Sequence, residues 1–485
     1  MDSTDKAPDP TQGRIPDLIK IGEIPSSYGQ TLYTDIVDPV TINDGRCRFT
    51  LSRVAGFLHS NSKITLAITP SNTADAAFFP LNVGVSQLIK SATLTIGNKT
   101  VCSVDDYANF HAYQSLFISP ENNKEREQFL SQRAMAFKVA YDSRSVAGAV
   151  PADTPPNSGQ VLMLDQGRDI TYATNGTKSQ SILPFQEMDA STAQLIEDTP
   201  TYSVYLSDLF PFLRFNQLPM FMIDDEVHID LVFADQTTSL SGGTQNNRCC
   251  VTKGAGQGAK PVTINQSEVK LVYDSILYDG EVMDKYRQQN PTLSFQYVDY
   301  RLAKRTGTQA AFSQLTFPVG GNGRLCSKVI FSLQNNANFV AESLLHGIST
   351  ASAPNKASLS VVNLRYNNQF EFSEDLQNPA QLFSTTQAAE GKLPMTQRDM
   401  YQRNGVSSLS DEPFEGSDLA KAVEGLGGNG QFVALRPNRA ERINNQGIDL
   451  VLGTGLDAGT YTLRVYLELL KVATLKDGAF DCYFA

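Results

Sequence analysis

Histidines and motifs with a fixed spacing are the first features of this chain that could support catalysis or metal binding. The four histidines are His59, His111, His228 and His346, and no two of them have the spacing of metal ligands. Neither the Gly-x-Ser-x-Gly nucleophile elbow nor the His-Glu-x-x-His zinc motif occurs. His228 lies on the polar face of an alternating strand, which is typical of a solvated or interface histidine rather than a general base.

Cysteines and clustered acids are the next candidates. The cysteines have no Cys-x-x-Cys spacing, and four of the six lie in or beside strand-like segments, where a thiol packs as a small hydrophobe; they are Cys47, Cys102, Cys249, Cys250, Cys326 and Cys482. A reducing compartment explains this pattern most simply. The pair at 249–250 could ligate a metal or form a disulfide, but no second ligand pair is spaced to help it. The acidic run at 224–226 could suggest paired carboxylates or a Ca²⁺ site, although acids at the start of a strand usually face water.

One glycine-rich segment, Gly425–Gly430, formally fits the dinucleotide fingerprint Gly-x-Gly-x-x-Gly. That fingerprint needs a strand before it and a helix after it, so that the helix N-terminus meets the pyrophosphate. Here a short helix from about Ser417 is predicted before it and the strand-like residues QFVAL follow, which favours a helix C-terminus and a loop. The segment Gly453–Gly455 is predicted to be a hairpin loop. We therefore predict no catalytic, cofactor-binding or metal-binding residues, and no enzyme activity.

Charge and hydropathy exclude further classes. The net charge is −11 with a pI near 5.0, and no run of Lys and Arg stands out, which argues against sequence-specific nucleic-acid binding. The first residues, MDSTDKAPDPTQGRIP, are acidic and proline-rich where a signal peptide would need a basic stretch and an apolar core. The most apolar region, 209–223, is interrupted by Arg214 and two prolines, so we expect no membrane-spanning helix.

Two long alternating strands, one near the end of each half, are the strongest structural signal. Residues 269–279 read VKLVYDSILYD, and residues 463–475 read LRVYLELLKVATL. In each segment alternate residues are apolar, so one face of a pleated strand would be apolar. The pattern predicts two β domains in tandem.

A hairpin followed by a helix start also occurs in each half. Gly97-Asn98 separates two strand-like segments before a helix from about Asp106, and Asn367-Asn368 does the same before a helix at Pro379. Gly and Asn accept the positive φ that tight hairpins require. Three Ser/Gly/Asn-rich stretches are predicted to be loops outside the domain cores, at 143–182, 236–264 and 389–430.

These patterns predict four parts of the chain. A polar, proline-rich arm precedes the first periodic segment, and a polar helical segment separates the two β domains. The predicted parts are an N-terminal arm at 1–25, a first β domain at 26–280, a linker helix at 281–290 and a second β domain at 291–485.

Four segments, taken in order, resemble the double jelly-roll major capsid proteins of double-stranded DNA viruses, in the lineage of polinton-like viruses, virophages and large DNA viruses. They carry the strand, turn and helix patterns of that family across nearly the whole chain. The segments are TIGNKTVCSVDDYANFHAYQSLF, LFPFLRFNQLPMFMIDDEVHIDLVF, VKLVYDSILYDGEVMDKYRQQ and LRVYLELLKVATLKDGAF.

The resemblance implies an all-β fold of two tandem eight-stranded jelly rolls with short helical inserts and long loops. It further implies a homotrimeric, pseudo-hexagonal capsomer that tiles an icosahedral shell. The implied partners are other copies of the chain, neighbouring capsomers, penton and minor capsid proteins and, as a further candidate, an internal membrane. The implied location is the virion, assembled inside the host cell.

Two other functions compete with this interpretation. A minor capsid or vertex protein of such a virus normally has one jelly roll, whereas this chain has two halves of nearly equal length. A secreted carbohydrate-binding or glycan-processing β-sandwich would be expected to have a signal peptide and surface tryptophans, and this chain has no tryptophan.

Overall fold

The structure is a computed structural model of the 485-residue chain. It describes residues 30–51, 56–70, 84–115, 117, 138–141, 161–164, 170–171, 180–181, 201–234, 262–335, 359–377, 379–391, 432–438, 441–456 and 458–485.

Sixteen of the described strands precede residue 280. They are β1 (Gln30–Val37), β2 (Thr41–Asn43), β3 (Arg46–Leu51), β4 (Phe57–Leu58), β5 (Lys63–Pro70), β6 (Ile89–Ile96), β7 (Lys99–Asp105), β8 (Lys138–Tyr141), β9 (Val161–Leu164), β10 (Ile170–Thr171), β11 (Gln180–Ser181), β12 (Thr201–Tyr205), β13 (Leu218–Pro219), β14 (Val227–Phe233), β15 (Val262–Ile264) and β16 (Lys270–Tyr278).

The remaining nine described strands follow residue 290. They are β17 (Thr292–Thr308), β18 (Gln314–Gly320), β19 (Cys326–Asn335), β20 (Leu359–Tyr366), β21 (Gln369–Phe370), β22 (Val433–Leu435), β23 (Ile448–Thr454), β24 (Thr460–Lys476) and β25 (Ala479–Phe484). The described α-helices are Tyr107–Ser115, Leu206–Leu209, Pro211–Phe215, Gly280–Gln289 and Pro379–Glu390. Short 3-10 helices cover Gly84–Leu88, Met220–Met222, Gln266–Glu268 and Gln309–Phe312.

The first half forms two antiparallel sheets from eight principal strands. In one sheet β1 pairs with β16, β16 with β5 and β5 with β12. In the other, β3 pairs with β14, β14 with β6 and β6 with β7. Counted along the chain, the first strand lies beside the eighth and the second beside the seventh, which is the strand order of a jelly roll. We call this half the first jelly roll.

The second half repeats this order. One sheet runs β17-β24-β19-β22 and the other β18-β23-β20-β21, and again the first strand lies beside the eighth and the second beside the seventh. We call this half the second jelly roll. The predicted fold of two tandem eight-stranded jelly rolls is therefore confirmed. The helix Gly280–Gln289, here called the linker helix, stands between β16 and β17.

The alternation of apolar residues places one face of each strand in a core. Along β14, Val227, Ile229 and Leu231 are fully buried while the residues between them are only half-buried. Along the first part of β24, Leu463, Val465, Leu467 and Leu469 point into the core of the second jelly roll. Each jelly roll thus encloses apolar side chains between its two sheets.

The two predicted hairpins are present. Asn367 and Asn368 have φ values of +50° and +64°, and Gly97 has +57°, which is the left-handed region that these residue types tolerate. The helices predicted after the hairpins begin at Tyr107 and Pro379. The predicted loops at 143–182, 236–264 and 389–430 lie largely outside the described residues.

One local prediction is wrong. Gly453 does not belong to a hairpin loop but lies within β23, paired with Gln314 of β18 and Val361 of β20. β23 and β24 lie in different sheets, so the segment between them crosses from one sheet to the other. Sequence separation alone suggested a hairpin, whereas the jelly-roll order sends the last two strands to opposite sheets.

We predict that Val465→Ala lowers the free energy of unfolding by about 2–3 kcal/mol. The valine is fully buried in the second core, so its truncation removes apolar burial and leaves a cavity. Val40→Ala is the matched control, because Val40 is 68% exposed, and it should change stability by less than about 0.5 kcal/mol. Urea denaturation measures both; equal effects would contradict the core assignment.

Candidate functional site: the contact between the two jelly rolls

The two jelly rolls meet across an extensive buried contact. The second contributes the outer face of its sheet β17-β24-β19-β22, and the first contributes β7, the helix Tyr107–Ser115 and the short helices between Leu206 and Phe215. Ten side chains of the second jelly roll belong to the hydrophobic cluster of the first: Leu293, Phe295, Tyr297, Ile330, Phe432, Ala434, Tyr466, Ala473, Leu475 and Phe480. The first core therefore continues across the boundary between them.

Aromatic side chains make up much of this continuation. The ring of Phe212 lies 4.9 Å from that of Tyr297, in an edge-to-face arrangement. The ring of Phe110 lies 4.3 Å from Tyr300 and 5.4 Å from Tyr466. Such pairs each contribute about 0.5–1.5 kcal/mol beyond the burial of their area.

Asp106 is the centre of the first buried charge cluster. It follows β7 with a φ of +46°, and its carboxylate accepts hydrogen bonds from Arg464 Nε and Lys304 Nζ, each at 2.9 Å. Its backbone carbonyl accepts from the Tyr466 hydroxyl at 3.0 Å. Arg464 is only 2% exposed. Burial alone would raise the pKa of the Asp106 carboxyl, but the two cations outweigh burial and hold that pKa below its ordinary value.

Lys471 is the centre of the second cluster. Its Nζ donates to the carbonyl oxygens of Thr100 and Val101, both at 2.7 Å, and to Asp299 Oδ2 at 3.2 Å. An ammonium has three protons, so all three are used. The other oxygen of Asp299 accepts from the backbone N–H of Ser103 at 3.3 Å. Burial raises the pKa of the Asp299 carboxyl despite the nearby ammonium.

Lys328 is the centre of the third cluster, and its ammonium lies between two carboxylates. Its Nζ lies 2.6 Å from Glu390 and 3.2 Å from Glu468. Tyr300 donates to Glu468 at 2.6 Å, and the Tyr113 hydroxyl of the first jelly roll donates to Glu390. Burial alone would lower the pKa of Lys328, but the two carboxylates outweigh it and hold the pKa above its ordinary value.

The turn after β24 adds a backbone contact. Gly478, with a φ of +83°, accepts a hydrogen bond from the backbone N–H of Asp224 at 3.0 Å. The positive φ favours glycine at this position, and a Cβ atom here would force the Asp224 carboxylate to move. The three charge clusters and this turn lie along one seam, and together they fix the relative position and orientation of the jelly rolls.

The acids and histidines singled out from the sequence lie apart from this seam or play packing roles in it. Asp225 and Glu226 are exposed, in agreement with the prediction that this acidic run faces water. His228 Nδ1 lies 3.0 Å from the Thr50 hydroxyl, on the half-buried face of β14. His111 is buried beside the Tyr107 hydroxyl, and His59 accepts from the backbone N–H of Asn61 at 3.1 Å.

The described cysteines are free thiols, namely Cys47, Cys102, Cys326 and Cys482. Burial raises the pKa of the Cys102 thiol well above its ordinary value, and the Asp299 charge adds to the shift. A thiol that stays protonated is a poor nucleophile and a poor metal ligand. His346, the 249–250 cysteine pair and the glycine-rich segment 425–430 lie outside the described residues. Within the described part of the chain, no cluster of three or more His, Cys, Asp or Glu side chains could hold a metal ion.

The charged residues of the seam were missed by the sequence analysis. Arg464, Glu468 and Lys471 stand in an otherwise apolar strand, and the sequence analysis assigned them no role. The missed signal is the aromatic Tyr466 among them, because a strand with apolar or aromatic residues on both faces is typical of burial on both faces.

No helix among the described residues is both long enough and apolar enough to cross a membrane.

Known structures share this tandem fold. The chain matches the PBCV-1 virus capsid with a TM-score of 0.52 at 10% identity, covering 94% of this chain and 97% of the other. It matches a chain of the Sputnik virophage with a TM-score of 0.50 at 11% identity, covering 95% and 90%, and the Faustovirus major capsid protein with a TM-score of 0.50 at 8% identity, covering 93% and 91%. Neither a protein-family profile nor a curated protein sequence matches this chain. At these identities the likeness establishes the fold.

We predict that Lys471→Met lowers the free energy of unfolding by about 3–5 kcal/mol, because it leaves the Asp299 carboxylate buried without its cation. The double variant Lys471→Met with Asp299→Asn should be more stable than the single variant, since it removes the orphaned charge. Lys476→Met, at the exposed end of the same strand, is the control and should change stability by less than about 0.5 kcal/mol. A double variant as unstable as the sum of its two single variants would contradict the pairing.

We also predict a pH signature for Asp106. Its folded-state pKa lies below the ordinary value of 3.8, so its contribution to stability is present above that value and is lost as pH falls through the folded-state pKa. Asp106→Asn should therefore be less stable than the wild type at pH 6, and the difference should shrink as pH falls below about 4. Denaturation at a series of pH values measures the difference in stability between the wild type and the variant. A difference that does not change with pH would show that the ion pairs of Asp106 are not its source.

Proposed function

We propose that this chain is a major capsid protein of a double-stranded DNA virus, whose activity is self-assembly into the shell of a virion. The observation that carries the proposal is the repetition of one jelly-roll strand order in two halves that are locked together by a buried seam. The PBCV-1 capsid and the Faustovirus major capsid protein, which share the tandem fold, support it.

Tandem duplication gives the chain a geometry suited to tiling. Two similar domains side by side are two similar wedges, and three chains around one axis provide six. Closed rotational symmetry lets every copy satisfy the same contacts, so a homotrimer would present a nearly six-sided outline. Six-sided units can cover the faces of an icosahedral shell with one gene product.

Tiling also requires that the angle between the wedges be constant. The seam supplies this, because rotation of the domains would separate the Arg464 guanidinium from the Asp106 carboxylate and the Lys471 ammonium from the carbonyl oxygens of Thr100 and Val101. Contacts between the domains of one chain are usually more polar than obligate interfaces between subunits, and they permit the domains to move relative to each other. Here the charges are enclosed by aromatic packing, which supports a rigid two-domain building block.

The proposed partners follow from that role. They are further copies of the chain in the trimer, neighbouring capsomers, and penton and minor capsid proteins at other positions of the shell. The N-terminal arm at 1–25, which lies outside the described residues, is proposed as a segment that ties the capsomer to a neighbour, a minor protein or a membrane.

We predict that the purified protein is a homotrimer with three times the mass of the 53.0 kDa chain. Obligate interfaces of this kind typically bury more than about 2,000 Å², so the trimer should persist at micromolar concentration. Native mass spectrometry measures the oligomeric state, and electron microscopy of expressing cells or of concentrated protein tests for shells or flat hexagonal sheets. A folded monomer at micromolar concentration would refute the proposal.

A further inference from the structure

Strand β1 has one edge without a neighbouring strand. In the part of the chain that the structure describes, β1 pairs only with β16, along all 8 of its residues. It is also exposed on both faces, because Leu32 and Ile36 are 58% and 60% exposed on one face and Tyr33 is 51% exposed on the other. An apolar edge of this length presents a row of backbone N–H and C=O groups to which another strand can bind.

The hydrogen bonds of β16 show which backbone groups of β1 are directed outward. The backbone N–H of Asp274 donates to the Ser62 hydroxyl at 3.0 Å, and its carbonyl oxygen accepts from the N–H of His59 at 2.7 Å. Both groups are therefore directed away from β1. Asp274 lies opposite Thr34, and opposed residues in an antiparallel pair are either both bonded to each other or both directed away. The N–H and C=O of Thr34 are consequently directed to the open edge.

Leu32 and Ile36 have the same orientation as Thr34, because backbone groups alternate along a strand. A side-chain contact agrees with this assignment: the backbone N–H of Ile36 donates to the Asp35 carboxylate at 2.8 Å. The open edge therefore offers the N–H and C=O groups of every second residue of β1.

Edge strands of the second jelly roll differ from β1 in the residues they carry. β17, which is the first strand of its jelly roll as β1 is of the other, has exposed Arg301, Lys304 and Arg305, and the edge strand β18 contains Pro318. Charged side chains and proline on an edge discourage the addition of a further strand. β1 contains no Lys, Arg or Pro. Its sequence therefore lacks the usual protection against pairing.

The sequence of β1 is complementary to itself in an antiparallel pair. In the register that places Thr34 opposite Thr34 of another copy, the outward-directed residues of the two strands meet as hydrogen-bonded pairs. Leu32 of each copy then lies opposite Ile36 of the other, so that two apolar pairs flank the central threonines. Tyr33 lies opposite Asp35, which prevents the two Asp35 carboxylates from facing each other directly. This register also uses β1 along its whole length.

We propose that β1 pairs antiparallel with β1 of a second copy of the chain, about a twofold axis at Thr34, and so joins two first jelly rolls into one continuous sheet. Pairing replaces the contact between the Ile36 N–H and the Asp35 carboxylate by a hydrogen bond to the Leu32 carbonyl oxygen of the other copy. The Asp35 carboxylate keeps its contact with the Tyr273 hydroxyl, which donates to its other oxygen at 3.2 Å.

A contact about a twofold axis uses the same surface on both copies, whereas the copies in a closed threefold ring are related by a rotation of 120°. The pairing of β1 with β1 therefore joins copies that belong to different trimers. Two strands of 8 residues form a small interface, so a single contact is weak. Each trimer presents three such edges, and several contacts made together hold neighbouring trimers more tightly than one. The pairing itself does not depend on the proposed trimer.

Disulfide crosslinking at the proposed twofold axis tests both the partner and the register. The full-length chain with Thr34→Cys is purified in reduced form, concentrated and oxidised with glutathione disulfide. In the proposed register the two Cα atoms at position 34 lie about 5.5 Å apart, a separation that suits a disulfide. We expect a crosslinked dimer in which peptide mass spectrometry joins position 34 of one copy to position 34 of the other.

Thr31→Cys is the matched control, because Thr31 is also exposed on β1. In the proposed register the two copies of position 31 are about 20 Å apart, so they should not crosslink. No crosslink at position 34, or equal yields at positions 34 and 31, would overturn the pairing, and in a preparation that is trimeric either result leaves the proposed trimer intact. Crosslinked dimers of a chain that is otherwise monomeric would support the pairing and refute the trimer.

Two substitutions at one position give an independent result. Thr34→Pro removes an N–H that the sheet of its own chain does not use, so the melting temperature should stay nearly unchanged while the Kd for association through β1 rises at least about tenfold. Thr34→Ala keeps the N–H and should change that Kd by less than about twofold. Both variants lose the hydroxyl that donates to Asp274, so the comparison isolates the backbone group. Sedimentation velocity over a range of concentrations measures the association; equal effects, or a wild type that does not associate further, would contradict the proposal.

Discussion

Strand β24 has to satisfy two hydrophobic cores at once, and the rest of the structure depends on this constraint. One face supplies Leu463, Val465 and Leu467 to its own jelly roll, and the other presses Tyr466 and two cations against the first. A buried cation without polar partners costs several kcal/mol. Across the boundary, Arg464 meets the Asp106 carboxylate and Lys471 donates to the carbonyl oxygens of Thr100 and Val101. The two jelly rolls are consequently held in one fixed arrangement, and are not joined by the linker helix alone.

The position of those partners explains local features that would otherwise look unrelated. Asp106 adopts a left-handed backbone conformation at the end of β7, where it meets Arg464 and Lys304. Gly478 allows the turn after β24 to touch Asp224. The left-handed backbone of Asp106 and the tight turn at Gly478 restrict the conformation of the chain, and the contacts of the seam offset that cost. Both contacts hold the first jelly roll at a defined angle to the second. A defined angle is what a unit of a closed shell must have.

Much of the fold could be predicted from the sequence because strand alternation, hairpin residues and helix starts are local signals. β14, the two hairpins and the helix beginning at Pro379 were recognised in this way, and the resemblance to a family supplied the order of the strands. The seam could not be recognised, since Lys471 and Asp299 are charged residues distant in sequence, and local pattern assigns such residues to water. The transition from β23 to β24 was misread for the same reason: which sheet a strand joins is a property of the whole chain.

A cryo-electron microscopy map of the purified assembly would test most directly the claim that a buried seam at β24 fixes the two jelly rolls of each chain. Such a map shows the contact between the two jelly rolls and whether it is the same in every copy. The account predicts six jelly rolls around a threefold axis, with the outer face of β24 covered by the first jelly roll of the same chain and Lys471 enclosed between them. A map in which the two jelly rolls of one chain do not touch through β24, or in which their angle varies from copy to copy, would contradict it.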